Sequence, residues 1–332
     1  MQIVKKIVLT LAFPILMFLV MLAITASNPQ CYVNGNLIFV GKSLITEVLK
    51  NTSLSICVAL AIWLQLKNGR FDFSGGASMI LAAIGAGYVG KETGNPFLSF
   101  IVAVLIGLIL CVLTSLVYVF GRVPIIICTI GMTLLYESLT YILFGGEGIR
   151  AFYSDAGLSI FGRIPGVFIP AILAIAVFVI YNYFTTAGRR SKILSNNQGA
   201  GVNIGINENK DAVISYVFSG VIIGLAAIIY ISQNDVTPQS GLSTSSILFS
   251  YIVPVFMGMF IGLASCDVIG IAMAAIGMEI MNYGLACMNL GAGGWQQIIF
   301  GAFVLGFYTF SAQSGKISAF FAKRKKQKAE QH

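Results

Sequence analysis

The chain has 332 residues, of which 57% are hydrophobic and only 10% charged, against roughly 25% charged in an ordinary soluble domain. With a mean hydropathy of +0.90 it lacks the polar surface of a water-soluble globule and reads as a polytopic membrane protein. The net charge of +8 does not point to nucleic acid, because five positive charges sit in the one run Lys323 to Lys328 just past the last apolar stretch, where a basic flank marks the cytoplasmic end of a membrane span and attracts anionic lipid.

Lys5 and Lys6 precede an apolar stretch over residues 7–25, which is expected to be an uncleaved first helix because no small-x-small cleavage site follows it. A second span is expected over 37–66 and a third from the break Lys67 to Gly76 onward to about 90, closed by KETGNP. The fourth and fifth cover 97–120 and 124–144, and after a long polar loop, 145–164, the sixth runs over 165–184. Past the polar segment 187–210 come the seventh over 212–232 and the eighth over 245–264. A ninth over 268–289 and a tenth over 295–312 precede a basic tail, 316–332. The expected fold is therefore all-α, one transmembrane domain of about ten helices over 1–332.

Positive charge orients these spans. With the N-terminus inside, fifteen of the twenty Lys and Arg fall on one side, and only Lys42, Lys50, Lys91, Arg150 and Arg163 on the other. Both termini and the segment 187–210 are thus expected in the cytoplasm, and the loop 145–164 outside. Gly220-xxx-Gly224 and Gly258-xxx-Gly262 space small residues one turn apart, as close helix packing requires.

Several chemistries are excluded at once. The only histidine is His332, so no histidine-based active site exists, and the six cysteines form no CxxC, so neither a zinc site nor a disulfide framework is expected. GNLIFVGKS, residues 35–43, has five residues between its first glycine and the GK pair where a phosphate-binding loop needs four. Any ATP chemistry must come from another chain.

Ionisable and polar groups inside spans carry more information, since burying them in a bilayer is costly. Asp72, with Ser74, lies in a glycine-containing break that either exposes polar backbone groups to a cavity or pairs Asp72 with Arg70 across a turn. Glu137 stands mid-span beside Thr133 and Tyr136, open to a role in a polar pathway or in an interhelical hydrogen bond. Glu279 is the third such carboxylate. Asn282, Trp295 and Gln296 gather at the outer end of the last two spans, where amides and an aromatic suit a polyhydroxylated solute, although Trp295 also suits an interfacial anchor. The stretch Ala187 to Lys210 is either a solvated connection or a helical docking surface for a cytoplasmic partner.

Four stretches, in order, resemble the permease subunits of bacterial ABC importers of the ribose, galactose and related sugar group. Asn68 to Gly76 (NGRFDFSGG) is similar to that family's GGIDLSVG segment, and Val123 to Gly131 (VPIIICTIG) to its VPPFIATLG. Asn197 to Asn207, with Ala200 and Gly205-Ile206-Asn207, is similar to its GGNPEAAKVSGIN loop, and Asn282-Tyr283-Gly284-Leu285 with Trp295-Gln296 to its INYGL…YWQ ending. The resemblance spans about 37–310. It departs at Arg70, which replaces a glycine, at Gly201, which replaces the second alanine of the loop's pair, and between the eighth and ninth spans, where Met257 to Asp267 (MGMFIGLASCD) stands in place of the family's glycine-rich GGTSLSGG turn.

The resemblance implies a multi-pass subunit of the bacterial cell membrane that performs no covalent chemistry and moves a monosaccharide or similar small polar solute inward. It implies three partners: an ABC ATPase that uses ATP and Mg, an extracytoplasmic solute-binding protein, and a second permease copy or paralogue. It makes Ser195, Asn197, Ala200, Gly205 and Asn207 the expected ATPase-coupling positions, and Asp72, Ser74, Glu137, Asn282, Trp295 and Gln296 the expected solute pathway, with no metal site. The alternative is an ion-coupled secondary transporter using Asp72, Glu137 and Glu279 as coupling-ion sites.

Overall fold

The computed structural model describes residues 2–33, 35–196, 198–262 and 265–291, and isolated positions beyond 297. Twelve helices make up most of this. They are α1 (Gln2–Ala26), α2 (Lys42–Leu66), α3 (Ser74–Thr93), α4 (Pro96–Gly121), α5 (Ile125–Ile142) and α6 (Phe168–Val179), then α7 (Thr186–Asn196), α8 (Gln198–Asn203), α9 (Glu208–Ile231), α10 (Ser243–Ser250), α11 (Ile252–Gly262) and α12 (Asp267–Cys287). A π-helical turn, Ile180–Phe184, extends α6. Among the described residues the only strands are a two-stranded hairpin, β1 (Tyr32–Val33) with β2 (Asn36–Leu37), outside the first span. Two-residue strands leave no readable alternation, and the sequence reading did not include them.

Punctuation follows local chemistry. Gly94 ends α3 at φ +64°, a left-handed conformation that a side chain would strain. Asn95 then caps α4, its side-chain oxygen accepting from the N–H groups of Phe97 (3.0 Å) and Leu98 (3.3 Å), and Pro96 takes the first helical position, where no N–H is needed.

Among the described residues, seven helical segments are long and apolar enough to cross a membrane: those of α1, α2, α4, α5, α9, α10–α11 taken together, and α12. An eighth is the pair formed by the α6 segment and α7, bent by 76°. The third expected span, α3, is too rich in Gly, Ser and Ala to pass on apolarity. It need not, because every residue from 74 to 87 is buried against protein and lipid has little access to it. The tenth expected span lies for the most part outside the described residues.

At the centre, α9 packs against α2, α3, α4 and α6. The α4–α9 contact is backbone to backbone. A Cβ on Gly107 would lie 2.7 Å from the Gly224 nitrogen and 2.8 Å from the Gly220 carbonyl, and one on Gly224 would lie 2.5 Å from the Val104 Cα. The Gly220-xxx-Gly224 spacing therefore serves a contact within this chain. So does Gly258-xxx-Gly262, which closes on α12, with Ile271 Cα 2.6 Å from a Gly258 Cβ. Gly224→Leu is expected to force α4 and α9 apart at a cost of about 3 kcal/mol or more, since overpacking alone costs 1–3. Loss of monodisperse protein in detergent gel filtration, with Gly121→Ala, whose added Cβ meets only Val123 Cγ2 at 3.7 Å, as a tolerated control, would check it.

A second hydrophobic cluster joins α1, α11 and α12 through Met17, Met21, Val253, Met257, Met278 and Leu285. The loop 145–164 is docked onto the bundle, with Phe152 and Phe161 buried in the main core. Phe161 sits 5.9 Å from Phe97 in an edge-on contact. In the same loop Ile149 bridges to Val236, its N–H donating to the Val236 carbonyl at 2.7 Å.

Candidate functional site

The span formed by α10 and α11 is entered through non-helical chain. After α9 ends, residues 235–242 run as non-helical chain alongside α5, and the helix begins only at α10. A helix starting inside the bundle leaves its first N–H groups without partners. Glu137, on α5 and 1% exposed, meets them. One carboxylate oxygen accepts from the Leu242 N–H at 2.8 Å, and the other from the Thr244 N–H at 2.8 Å and the Thr244 hydroxyl at 2.7 Å. One turn further along α5, the Thr140 hydroxyl accepts from the Gln239 N–H at 3.1 Å. The negative charge also suits the positive end of the helix dipole. Of the two readings open for Glu137, the geometry is that of an interhelical hydrogen bond.

Asp72 does related work at the start of α3. One of its oxygens accepts from both the N–H and the hydroxyl of Ser74, each at 2.7 Å. Arg70 forms no direct ion pair with it among the described residues. Its guanidinium turns inward, donating to Gln65 Oε1 at 3.2 Å and to the Ser215 hydroxyl at 2.9 Å, because α9 offers a buried acceptor and Asp72 is already engaged by the helix it starts. From Ser74 a line of hydroxyls continues through Thr114 (3.4 Å) to Tyr136 (3.1 Å), which neighbours Glu137. Gly76 lies against the Thr244 carbonyl, closer than a Cβ would permit. The structure thus joins Asp72, Ser74 and Glu137 in one polar core around α3, α5 and α10.

Asn282 belongs elsewhere. On α12 it donates to Glu279 at 3.1 Å, and the other Glu279 oxygen accepts a short hydrogen bond from Ser55 of α2. Ser55 carried no signal in the sequence, being one of five hydroxyl residues in α2, with its partner 224 residues away. Trp295 and Gln296 lie outside the described residues.

At the end of the bundle that carries the turn 67–72, α7 turns away from α6. Gly188 allows the turn, sitting directly against the Tyr181 carbonyl. Ser191 donates to Asn68 Oδ1 at 2.7 Å, joining α7 to the turn before Arg70 and Asp72. Arg190 reaches Asp211 at 3.8 Å and Lys192 lies 4.6 Å over the Tyr183 ring. Ser195 donates to the Lys192 carbonyl at 3.0 Å. Gly205, at φ +89°, turns the chain out of α8, and the Asn207 side chain caps α9 by accepting from the Lys210 N–H at 3.1 Å. Gly201 faces Leu194, where a Cβ would approach Cδ2 to 2.8 Å, so glycine in place of the family's alanine lets α8 fold down on α7. Asn197 lies outside the described residues, and Ala200 is described by its helical backbone alone.

The outward side of this unit leaves Ile193, Val202 and Ile204 exposed at 44%, 47% and 69%. Beside it, Lys67 bridges to Asp267 at 3.6 Å and covers the Trp63 ring at 4.1 Å. Burial holds the Lys67 amine below its ordinary value and the Asp267 carboxylate opposes that shift.

Comparison with known proteins gives this arrangement a context. The family described as "Branched-chain amino acid transport system / permease component" matches residues 44–308. The chain is 27% identical over 297 residues to the ribose import permease protein RbsC of Escherichia coli (strain K12), covering 86% of this chain and 88% of that one. It is 24% identical over 260 residues to the autoinducer 2 import system permease protein LsrD of Escherichia coli (strain SMS-3-5 / SECEC), with 73% and 76% covered. It is also 24% identical over 234 residues to RbsC of Bacillus subtilis (strain 168), with 68% and 70% covered. No solved structure matched the chain.

Proposed function

The chain belongs to the family of permease components of branched-chain amino acid transport systems, a multi-pass membrane transport subunit, and from that premise we propose that it is the translocation subunit of an ATP-driven importer of a monosaccharide or similar small polar solute. The observation that carries the reading is the α7–α8 unit. Its first helix is bent by 76° from its span, and the unit with the turn after it leaves Ile193, Val202 and Ile204 exposed, a surface made to be covered by protein. An ATPase that binds ATP and Mg is the proposed occupant. Ser195, Asn197, Ala200, Gly205 and Asn207 belong to the docking segment, most of them as its scaffold. Closure of the ATPase would press on α7, and the Ser191–Asn68 bond would pass the displacement to the turn that carries Arg70 and Asp72.

The rest of the assembly follows the same reading. An external binding protein delivers solute to the outer face, a second permease copy or paralogue completes the pathway, and both termini lie in the cytoplasm of a bacterial inner membrane. Asp72, Ser74, Glu137, Asn282, Trp295 and Gln296 line or shape the route, and no step involves catalysis by this chain. The engagement of Glu137 by three donors supports an importer over an ion-coupled carrier, whose coupling carboxylate must be free to exchange its partner.

Proteoliposomes holding the permease with its ATPase, with binding protein outside and D-ribose among the labelled solutes, test the proposal. Uptake is expected to require internal ATP and to survive ionophores. Uptake that proceeds without ATP and collapses with the ion gradient would establish the carrier instead.

A further inference from the structure

A second polar region stands apart from the Glu137 core. Between the outer halves of α2, α9 and α12 lies a cavity of about 520 Å³, its floor reaching the break between α10 and α11 at Tyr251. Asn51, Gln233, Asn234 and Asn282 are on its walls, and Glu279 is the charged group at its inner end. Glu47 also touches it, nearer the start of α2, where Lys50 neutralises it at 3.0 Å. An adjoining outer cavity of about 420 Å³ shares Asn51, Gln233 and Asn234 and adds Arg163, whose guanidinium is taken up by the Ser159 hydroxyl (3.0 Å) and the Tyr153 carbonyl (3.2 Å).

We infer that this cavity is a solute-receiving site, with Glu279 as its specificity-determining residue, for a small solute that presents hydroxyl or amine donors and carries no negative charge. Four carboxamides supply donors and acceptors without charge, as recognition of a hydroxylated ring requires. Both Glu279 oxygens are held as acceptors, one by Ser55 and the other by Asn282, so the group presents only acceptor capacity to the cavity. A carboxylate that faces no cation among the described residues, at the inner end of a cavity of this polarity, attracts donors and repels anions. For a sugar importer this means free sugar is received and its phosphorylated form is turned away. The inference rests on the importer reading for its direction of travel, and its test does not.

Asn51 is exposed one helical turn outward of Ser55 on the same face of α2, so a cysteine there reports the potential near Glu279. In Asn51→Cys, compared with the parent chain and its six native cysteines in nanodiscs, a trimethylammonium methanethiosulfonate is expected to react about tenfold faster or more than the sulfonate reagent, after correction for intrinsic rates. Adding Glu279→Gln should bring the ratio close to one, whereas Glu279→Asp should keep the preference. An inert cysteine, equal rates in the chain with Glu279 intact, or a preference untouched by Glu279→Gln would each overturn the site. Equal rates with Glu279 intact decide the matter even should the glutamine variant not fold. None of these reactions needs an ATPase, so their failure sinks the site alone, while ion-driven uptake would sink the importer and leave the labelling standing.

Discussion

Glu137→Ala is expected to be the most destabilising single change in the described interior, costing about 3–5 kcal/mol. Removing the carboxylate leaves the Leu242 N–H, the Thr244 N–H and the Thr244 hydroxyl without acceptors in a place that water does not readily reach. A buried donor left unpaired carries its whole desolvation penalty, about 1–3 kcal/mol each. Glu137→Gln should fall between, by about 1–2 kcal/mol, because one amide oxygen serves where two carboxylate oxygens did and the NH2 faces a donor. Thr244→Val, which deletes one hydroxyl and keeps both backbone bonds, should cost less than either. Thermal unfolding of the purified chain in detergent, followed by fluorescence or gel filtration, orders the three. If alanine and valine behaved alike, the carboxylate would not be what starts α10.

Ile204→Glu is expected to leave folding intact and abolish coupling. Ile204 is 69% exposed, and Val202 two residues earlier is 47% exposed, so a charge at either costs little in the isolated chain. At the centre of a desolvated interface the same charge is unpaired, and a central misfit costs roughly 2 kcal/mol or more, about thirtyfold in affinity. Co-purification of the ATPase and solute-stimulated ATP hydrolysis should both fall, while expression and detergent stability stay unchanged. Arg189→Ala, an exposed change on the adjoining helix that leaves both apolar side chains in place, should weaken binding far less. Normal ATPase recovery with Ile204→Glu would mean that α7 and α8 merely connect two spans.

These two outcomes separate what each region owes to its neighbours. Glu137 acts through hydrogen bonds wholly inside the chain, and its substitution reads out as stability. Ile204 touches little within the chain, and its substitution reads out only when a partner is present. Glu279 lies between: it is buried and bonded like Glu137, but it borders a cavity that opens outward, so its charge should be felt by reagents as well as by the fold.

The membrane character, the helical class and the positions of most spans follow from the sequence alone. A bilayer satisfies no backbone hydrogen bond, so any spanning segment must be a long apolar helix, and such a helix is visible residue by residue without knowing its neighbours. Local punctuation is readable for the same reason: Gly94, Asn95 and Pro96 act on groups within four residues of themselves. The segment 187–210 stood out through polarity and basic charge, and its likeness to a family loop pointed to a docking surface. What only the tertiary structure decided is who answers each buried polar group. Glu137 finds Thr244 at a separation of 107 residues and Arg70 finds Ser215 at 145, and at such distances nothing in the spacing of residues selects a partner. The glycine pairs show the same division: their spacing announced a close contact, and only the packing of α9 on α4 made Gly107 of the same chain its other half. The reason is that apolar burial and backbone satisfaction are properties of a segment, whereas pairing a buried charge is a property of the place where segments meet.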